Sequence, residues 1–126
     1  MDRTEWEFGL FNINLLVIGV QYKGVVVPLY FKSLAKKGCS FTHQRISVIK
    51  SLLQVIPVKK ISSFSADREF VGGKWFKFLI DKGIPFVMRI KKDTQVRRHA
   101  SDASVPVEEI AKRIKKIKKR YLKTPI

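Results

Sequence analysis

The spacing of apolar residues changes at Lys37-Gly38, and this change restricts what the chain can fold into. Before it, apolar residues alternate with polar ones around Trp6 and Phe8, or crowd into two short runs rich in β-branched side chains, which favours strands. After it, apolar residues recur every three or four positions, which is the period of an amphipathic helix. The sequence therefore predicts strands first, followed by helices that alternate with further strands.

Three antiparallel strands account for the first third of the chain. After the strand that contains Trp6 and Phe8, the expected turn and the two later strands are residues 9–12, 13–22 and 25–31. Lys23-Gly24 is typical of a two-residue hairpin turn, because glycine adopts a positive φ without strain. Pro28 predicts an edge position or a local bulge for the third strand, since proline has no N–H to donate.

Two amphipathic helices follow these strands. Ser40 or Thr42 would cap the first helix, and Pro57 would end it. Its apolar side chains fall on one face: Ile46, Ile49, Leu52, Leu53 and Ile56. The second helix would occupy residues 74–82 and end at Gly83. Its inward side chains are expected to be Trp75, Phe76, Leu79 and Ile80.

Short strands at residues 61–66 and 86–90 complete the pattern, so the predicted order is β-β-β-α-β-α-β. The fold class is α/β. Helices that join the third strand to the fourth, and the fourth to the fifth, are crossover connections. They predict a mixed sheet with helices on its faces.

The last part of the chain has a different composition. Residues 94–104 are polar and lack an apolar period, which predicts a loop, and Pro106 is expected in the first turn of a helix. That helix has apolar residues at helical spacing: Ile110, Ile114, Ile117 and Tyr121. Residues 91–126 contain 12 basic and 4 acidic residues, a net charge of +8.

The whole chain carries a formal net charge of +16 in 126 residues, which predicts attraction to a polyanion such as nucleic acid. The basic residues from Lys112 onward would neutralise phosphates and bind DNA without sequence preference. The expected contacts are Lys112, Arg113, Lys115, Lys116, Lys118, Lys119 and Arg120, together with Arg68. A solvated helix face is the alternative.

Several classes of protein are excluded or disfavoured. The single cysteine, Cys39, excludes an internal disulfide framework and has no partner at zinc-ligand spacing. No apolar stretch approaches the roughly 18 to 20 residues of a membrane span, so no membrane partner is expected. The sequence favours a soluble, intracellular, basic domain.

Acidic residues are scarce, and the positions of two of them in the sequence make them candidate metal ligands. Asp2 opens the first strand, and Asp67 follows the fourth. If those strands are neighbours, both carboxylates lie at one end of the sheet, where they could hold divalent cations for phosphoryl transfer. The alternative is that Asp2 is a frayed terminal residue and Asp67 a helix cap.

Motifs from residue 2 to about residue 92 resemble DDE-type transposases of bacterial insertion sequences. The most specific are Asp2-Arg3-Thr4 near the start and the later block Asp67-Arg68-Glu69-Phe70 with Trp75-Phe76 after it. Further matches are Asn12-Ile13-Asn14, Tyr22-Lys23-Gly24-Val25, Lys37-Gly38 with Ser40 and Thr42, Arg45-Ile46, and Ile84-Pro85-Phe86-Val87-Met88-Arg89.

This resemblance implies a ribonuclease H-like fold in which Asp2 and Asp67 are the first two catalytic and metal-binding carboxylates. It implies two Mg²⁺ ions (or Mn²⁺), attack of water on a phosphodiester at the element end, and attack of the freed 3′-hydroxyl on target DNA. The implied partners are element-end and target DNA in a dimeric synaptic complex, and the implied location is the bacterial cytoplasm, at the nucleoid.

The family's third ligand is a Glu within a Tyr-Arg-Glu-Lys-type signature, and neither Glu108 nor Glu109 has that context. The resemblance therefore implies a fragment truncated at both ends and inactive alone. Residues 1–92 would be an incomplete catalytic core, and residues 93–126 a basic loop and the start of an insertion subdomain. The family pattern predicts a short helix at residues 107–112 and a strand at 119–126, whereas periodicity predicts one longer helix.

Some alternatives stay open at this level. Arg68 would hold Asp67 or contact phosphate, or else pair with Glu69, which we expect to be structural. His43 and His99 are expected on the polar surface. The second functional hypothesis is a non-catalytic nucleic-acid-binding module, which would need neither Asp2 nor Asp67. A third is a non-functional relic that folds poorly.

Overall fold

The computed structural model describes residues 1–35, 37–97 and 99–121, with side chains described as far as Ile114. The chain divides into two compact units, Met1–Arg89 and Ile90–Ile126. Among the described residues, no helix combines the length and the apolar character needed to cross a membrane.

The first unit begins with an antiparallel sheet of order β1-β2-β3. Its strands are β1 (Asp2–Phe8), β2 (Phe11–Tyr22) and β3 (Val25–Ser33). Lys23 and Gly24 form the predicted hairpin turn, and both have positive φ, as a tight hairpin with right-handed strand twist requires. The turn after β1 is shorter than predicted, because Phe11 and Asn12 already belong to β2.

The third strand confirms what Pro28 predicts. β3 lies at the edge of the sheet, and Pro28 pairs with Gly19 where the β2–β3 register shifts by one residue. The bulge requires glycine on β2, since a Cβ at Gly19 would come within 2.6 Å of Cγ1 of Val26 and 2.9 Å of the Val27 carbonyl oxygen.

Helices and short strands alternate in the rest of the unit, in the predicted order: α1 (Thr42–Leu53), a 3-10 turn (Val58–Lys60), β4 (Phe64–Ala66), α2 (Gly73–Asp81) and β5 (Phe86–Met88). Two boundaries differ from prediction. β4 is three residues long instead of six, because its ladder with β5 begins only at Phe64 and residues 61–63 are not part of it. β5 also ends two residues early, at Met88.

The core confirms most of the predicted helix faces. Ile49 and Leu52 of α1 and Trp75 and Leu79 of α2 are buried. Their partners in the core are Leu16, Ile18, Leu34, Val48, Phe64, Phe70 and Ile84. The prediction for Ile80 is wrong: it is 66% exposed, because the apolar stripe of this nine-residue helix is wider than the face that packs.

The helix caps also differ from prediction. The residue before α1 is Phe41, whose N–H donates to Oε1 of Gln44 at 2.7 Å. Ser40 is buried and engages the side chain of Arg45 instead of capping the helix. Gly83 follows α2 with a φ of +65°, as a residue just beyond a helix end commonly does.

The prediction of one mixed sheet is wrong, because the strands of the first unit form two separate ladders. β4 and β5 pair in parallel, as a crossover through α2 requires, but they form a ladder separate from β1–β3. The turn at Asp67 begins directly after Ala66, so β4 is too short for an extended ladder with β1. The class is mixed α/β, and the strands do not join into one continuous sheet.

The second unit differs from the expected loop. Its elements are β6 (Gln95–Val96), β7 (Val105–Pro106) and α3 (Val107–Tyr121), and β6 and β7 pair antiparallel. Pro106 therefore ends a strand instead of occupying the first helical turn. α3 is the single long helix that periodicity predicts. The predicted strand at 119–126 is wrong as far as Tyr121, and residues 122–126 lie outside the described part of the chain.

Candidate active site

The first residues of β1 lie beside the segment that contains β4. The nitrogen of Met1 donates to the carbonyl oxygen of Ser65 at 2.7 Å, and Nε of Arg3 donates to Oε2 of Glu69 at 3.1 Å. Residue numbers increase along both segments, from Met1 to Arg3 on one side and from Ser65 to Glu69 on the other, so the two segments run parallel. This arrangement places Asp2 alongside the residues that end β4.

An open cleft of about 670 Å³ lies at this place. Both predicted carboxylates line it, and the other polar side chains in its wall include Thr4, Ser65 and Arg89. Asp2 pairs with Val17 across the β1–β2 ladder, so it belongs to a strand and is not a frayed end. The sequence pattern could bring these carboxylates together only if β1 and β4 were adjacent, and the structure places them at one cleft.

Asp67 does not cap a helix. Its carbonyl accepts the N–H of Phe70 at 2.9 Å in a turn, and the residue before α2 is Gly72. Its Oδ1 lies 3.9 Å from Nη1 of Arg89, with both side chains more than half exposed. An ion pair of this length and exposure is weak, so the Asp67 carboxylate is accessible to a ligand.

Asp2 is also exposed, and its Oδ1 accepts the backbone N–H of its neighbour Arg3 at 2.8 Å. The Arg3 guanidinium binds two carboxylates, Glu69 and, at 2.6 Å from Nη1, Glu5. These hydrogen bonds raise the pKa of Arg3, and the bond from Arg3 lowers the pKa of Glu5. Arg3 thus neutralises one glutamate of β1, Glu5, and one in the turn after β4, Glu69.

Arg45 belongs to the motifs that carry the family resemblance, but its burial is not predicted from the sequence. Its side chain is 6% exposed and donates to Oγ and the carbonyl of Ser40 at 2.9 and 2.7 Å, and to the Glu69 carbonyl at 3.1 Å. The guanidinium carbon lies 5.2 Å from the centre of the Phe70 ring. Burial lowers the pKa of Arg45. The sequence feature that could have predicted this burial is the position of a charged residue within the apolar stripe of the helix, next to Ile46.

The expected alternative for Arg68 does not occur. Glu69 pairs with Arg3, and Arg68 is exposed with no ion pair within the described part of the chain. His43 and His99 are exposed, as predicted, and Cys39 is exposed as well.

The predicted DNA-contacting residues of the second unit lie on α3. Lys112 and Arg113 are exposed, and Nζ of Lys112 lies 3.2 Å from Oε1 of Glu108, one turn earlier. Lys115, Lys116, Lys118, Lys119 and Arg120 continue the same helix. Two acidic residues stand in its first turn, so its charge runs from acidic to basic along the axis.

The residues at the cleft fit a divalent cation in chemistry but do not complete a ligand set. Carboxylate oxygens are the donors that Mg²⁺ and Mn²⁺ prefer, and Asp2 and Asp67 supply them. Among the described residues, no group of three or more His, Cys, Asp and Glu side chains is placed to hold a metal ion. Two carboxylates are therefore candidate ligands, and no third His, Cys, Asp or Glu side chain completes a metal-binding group with them in that part of the chain.

An α/β unit with paired carboxylates at an open cleft, in a strongly basic chain, is typical of enzymes that act on nucleic acid. The family model described as "Transposase DDE domain" matches residues 39–125. The chain therefore belongs to the DDE transposase family. That family implies DNA transposition, DNA as substrate, a ribonuclease H-like fold and, in general, a divalent metal.

The family match has a definite extent on the structure. It includes Asp67, both helices of the first unit and the second unit, and it begins after β3, so Asp2 lies outside it. No curated protein and no solved structure gives a significant match to the chain.

Proposed function

We propose that Asp2 and Asp67 are two metal-binding carboxylates of a transposase catalytic core that cleaves and joins DNA phosphodiester bonds. The observation that carries this proposal is that both side chains line one open cleft, at the point where β1 meets the end of β4. A divalent cation, Mg²⁺ or Mn²⁺, would supply Lewis-acid activation of water and of the phosphate.

The chain's own residues contribute binding and orientation. Arg89 lines the cleft with an 81% exposed side chain, and Arg68 is exposed next to Asp67. Both are available to neutralise a phosphate that enters the cleft, and Arg89 in addition approaches Asp67 at 3.9 Å. We propose that these arginines hold the DNA backbone against the carboxylates.

The basic segment of α3 from Lys112 to Arg120 would bind DNA as well. Its Lys and Arg residues form a run of one sign beyond Glu109, and such a run releases counterions when it meets a phosphate backbone. We propose that Lys112, Arg113, Lys115, Lys116, Lys118, Lys119 and Arg120 give binding that depends on salt and not on sequence.

Two further parts of the proposal concern organisation. Residues 1–92 would be an incomplete catalytic core, and residues 93–126 a basic loop and the start of an insertion subdomain. The chain divides into two units after Arg89, which supports a boundary within a few residues of position 92. The lack of a third ligand among the described residues supports a core that is inactive alone. A dimeric complex with element-end and target DNA stays a prediction.

Nicking and binding assays test the proposal together. We expect the purified chain to bind duplex DNA with a steep salt dependence and to leave supercoiled plasmid uncut in Mg²⁺ or Mn²⁺. Metal-dependent nicking that disappears in Asp67→Asn would overturn inactivity while supporting the assigned carboxylate. If the chain binds DNA but its affinity for metal does not depend on Asp2 or Asp67, the non-catalytic binding module is favoured.

A further inference from the structure

Glu69 stands between two arginines that belong to different elements. Arg3 of β1 binds its carboxylate at 3.1 Å, and Arg45 of α1 binds its carbonyl oxygen at 3.1 Å. Glu69 lies two positions after Asp67, and Arg3 is the residue next to Asp2. The same residue thus links both carboxylate-bearing segments to the rest of the first unit.

The Arg45 contact fixes the backbone after Asp67. Arg45 is nearly fully buried, and a buried guanidinium is tolerated only when its donors are satisfied. Two bonds to Ser40, one to Glu69 and the face of Phe70 fill that requirement. The turn that begins at Asp67 is therefore anchored to the start of α1.

The Arg3 contact fixes β1 against that turn. β1 and β4 share no ladder, and the polar contacts between their segments include this ion pair and the hydrogen bond from Met1 to Ser65. Two carboxylates that approach one another repel, and a metal site needs them held at close range before the cation arrives. The ion pair between Arg3 and Glu69 meets this need, because Arg3 follows Asp2 and Glu69 lies two positions after Asp67.

We propose that Glu69 is a positioning residue, which through Arg3 and Arg45 holds Asp67 and Asp2 at one metal site. This inference rests on the function proposed for Asp2 and Asp67. Glu69 itself would bind no metal, because its carboxylate is already engaged by Arg3.

The variant Glu69→Gln tests the inference, since it removes the charge and keeps the backbone carbonyl that Arg45 binds. Arg3→Gln removes the same ion pair from its other end and serves if the first variant does not fold. Asp81→Asn is the matched control, because it breaks an exposed ion pair with Lys77 on α2.

The first readout is independent of metal. Nitroxide labels at Asp2→Cys and Asp67→Cys, in a Cys39→Ser background, report their separation through dipolar broadening of the EPR spectrum. We expect broadening in the labelled parent and in Asp81→Asn, and a clear loss of broadening with Glu69→Gln or Arg3→Gln. Unchanged broadening in both of these variants would overturn the inference.

The second readout is the affinity of the unlabelled chain for Mn²⁺, followed by the EPR signal of the free ion. Groups that orient metal ligands typically change metal affinity by about 10- to 100-fold when removed. We expect Glu69→Gln to raise the Kd about tenfold, and the double variant with Arg3→Gln to be no worse than either single variant. Additive losses would overturn the shared role.

The two proposals fail in different ways. Mn²⁺ affinity that is unchanged by Asp2→Asn and by Asp67→Asn would refute the metal site, and the label separation would still decide whether Glu69 positions the two segments. Affinity that needs both aspartates but is insensitive to Glu69→Gln would refute the positioning role alone.

Discussion

Nε of Arg3 lies 3.1 Å from Oε2 of Glu69, across 66 positions of sequence. Because Arg3 follows Asp2 and Glu69 lies in the turn that begins at Asp67, this contact links the segments that carry the two candidate metal-binding carboxylates. The cleft between them is consequently a product of tertiary pairing, and not of a local motif. The expected results below follow from that arrangement and from the elements around it.

The bulge at Gly19 should resist any larger residue. Gly19→Ala places a Cβ within 2.6 Å of Val26 and within 2.9 Å of a backbone oxygen, so the β2–β3 pairing must shift. Overpacking of this kind typically costs about 1–3 kcal/mol in the free energy of unfolding. Urea denaturation measures it. Gly73→Ala is the control, since no atom lies within 4 Å of the added Cβ, and equal effects of both variants would contradict the bulge.

Arg45→Met should destabilise the first unit. The variant keeps most of the side-chain volume but leaves the Ser40 and Glu69 carbonyl oxygens without this donor. The loss of hydrogen bonds from a charged group predicts a cost of about 2 kcal/mol or more. Lys50→Met, on the exposed side of the same helix, should change the free energy of unfolding little. A cost for Arg45→Met no larger than for Lys50→Met would show that the buried network contributes nothing.

The Glu5–Arg3 pair should make stability depend on pH in the acid range. The hydrogen bond from Arg3 lowers the pKa of Glu5 below its ordinary value of 4.5, so the folded state binds this proton less readily than the unfolded state. Its contribution is then complete above the ordinary pKa and is lost as the pH falls through the lowered pKa. The difference in Tm between the parent and Glu5→Gln should shrink on acidification from neutral pH. A difference that stays constant would contradict the assigned pair.

Neutralising the basic segment of α3 should weaken DNA binding and its salt dependence. Each phosphate contact contributes about 0.9 to the slope of log K against log salt on duplex DNA. Four substitutions should therefore lower the slope by about 3 to 4, as measured by fluorescence anisotropy. The variant carries Lys115→Gln, Lys116→Gln, Lys118→Gln and Lys119→Gln.

The control for this experiment removes the same charge from the first unit. The control variant substitutes glutamine at four of the exposed lysines of that unit: Lys50, Lys59, Lys60 and Lys82. If both fourfold variants lose the same slope, net charge alone governs binding, and α3 has no special role in contacting DNA.

Local signals predict much of the fold because each acts over a few residues. The positive φ of Lys23-Gly24, the missing N–H of Pro28 and the apolar spacing around Ile49 specify a turn, an edge strand and a helix face without reference to distant residues. The order β-β-β-α-β-α-β of the first unit follows from signals of this kind.

Tertiary preferences account for what the sequence does not predict. Ile80 has an apolar side chain at helical spacing, yet its exposure is decided by how much of α2 packs. Arg45 carries a charge that usually stays in solvent, and only its partners at Ser40 and Glu69 explain its burial. β6 and β7 have two residues each, too few to show an alternating pattern.

The candidate site divides in the same way. Asp2 and Asp67 could be proposed from their scarcity and from the resemblance, but their placement at one cleft depends on β1 lying beside β4. The pairing of Glu69 with Arg3 instead of Arg68 shows the limit of neighbour-based reasoning. Adjacent charges in a turn point in different directions, and a more distant arginine makes the contact.

Titration of Mn²⁺ into the full chain and its Asp2→Asn, Asp67→Asn and double variants tests most directly whether these aspartates form one metal site. Ligands of one site act together, so each single variant should lose most of the affinity, and the double variant should lose little more. Asp81→Asn should bind as the parent does. Affinity that is the same in the parent and in both single variants would contradict the site.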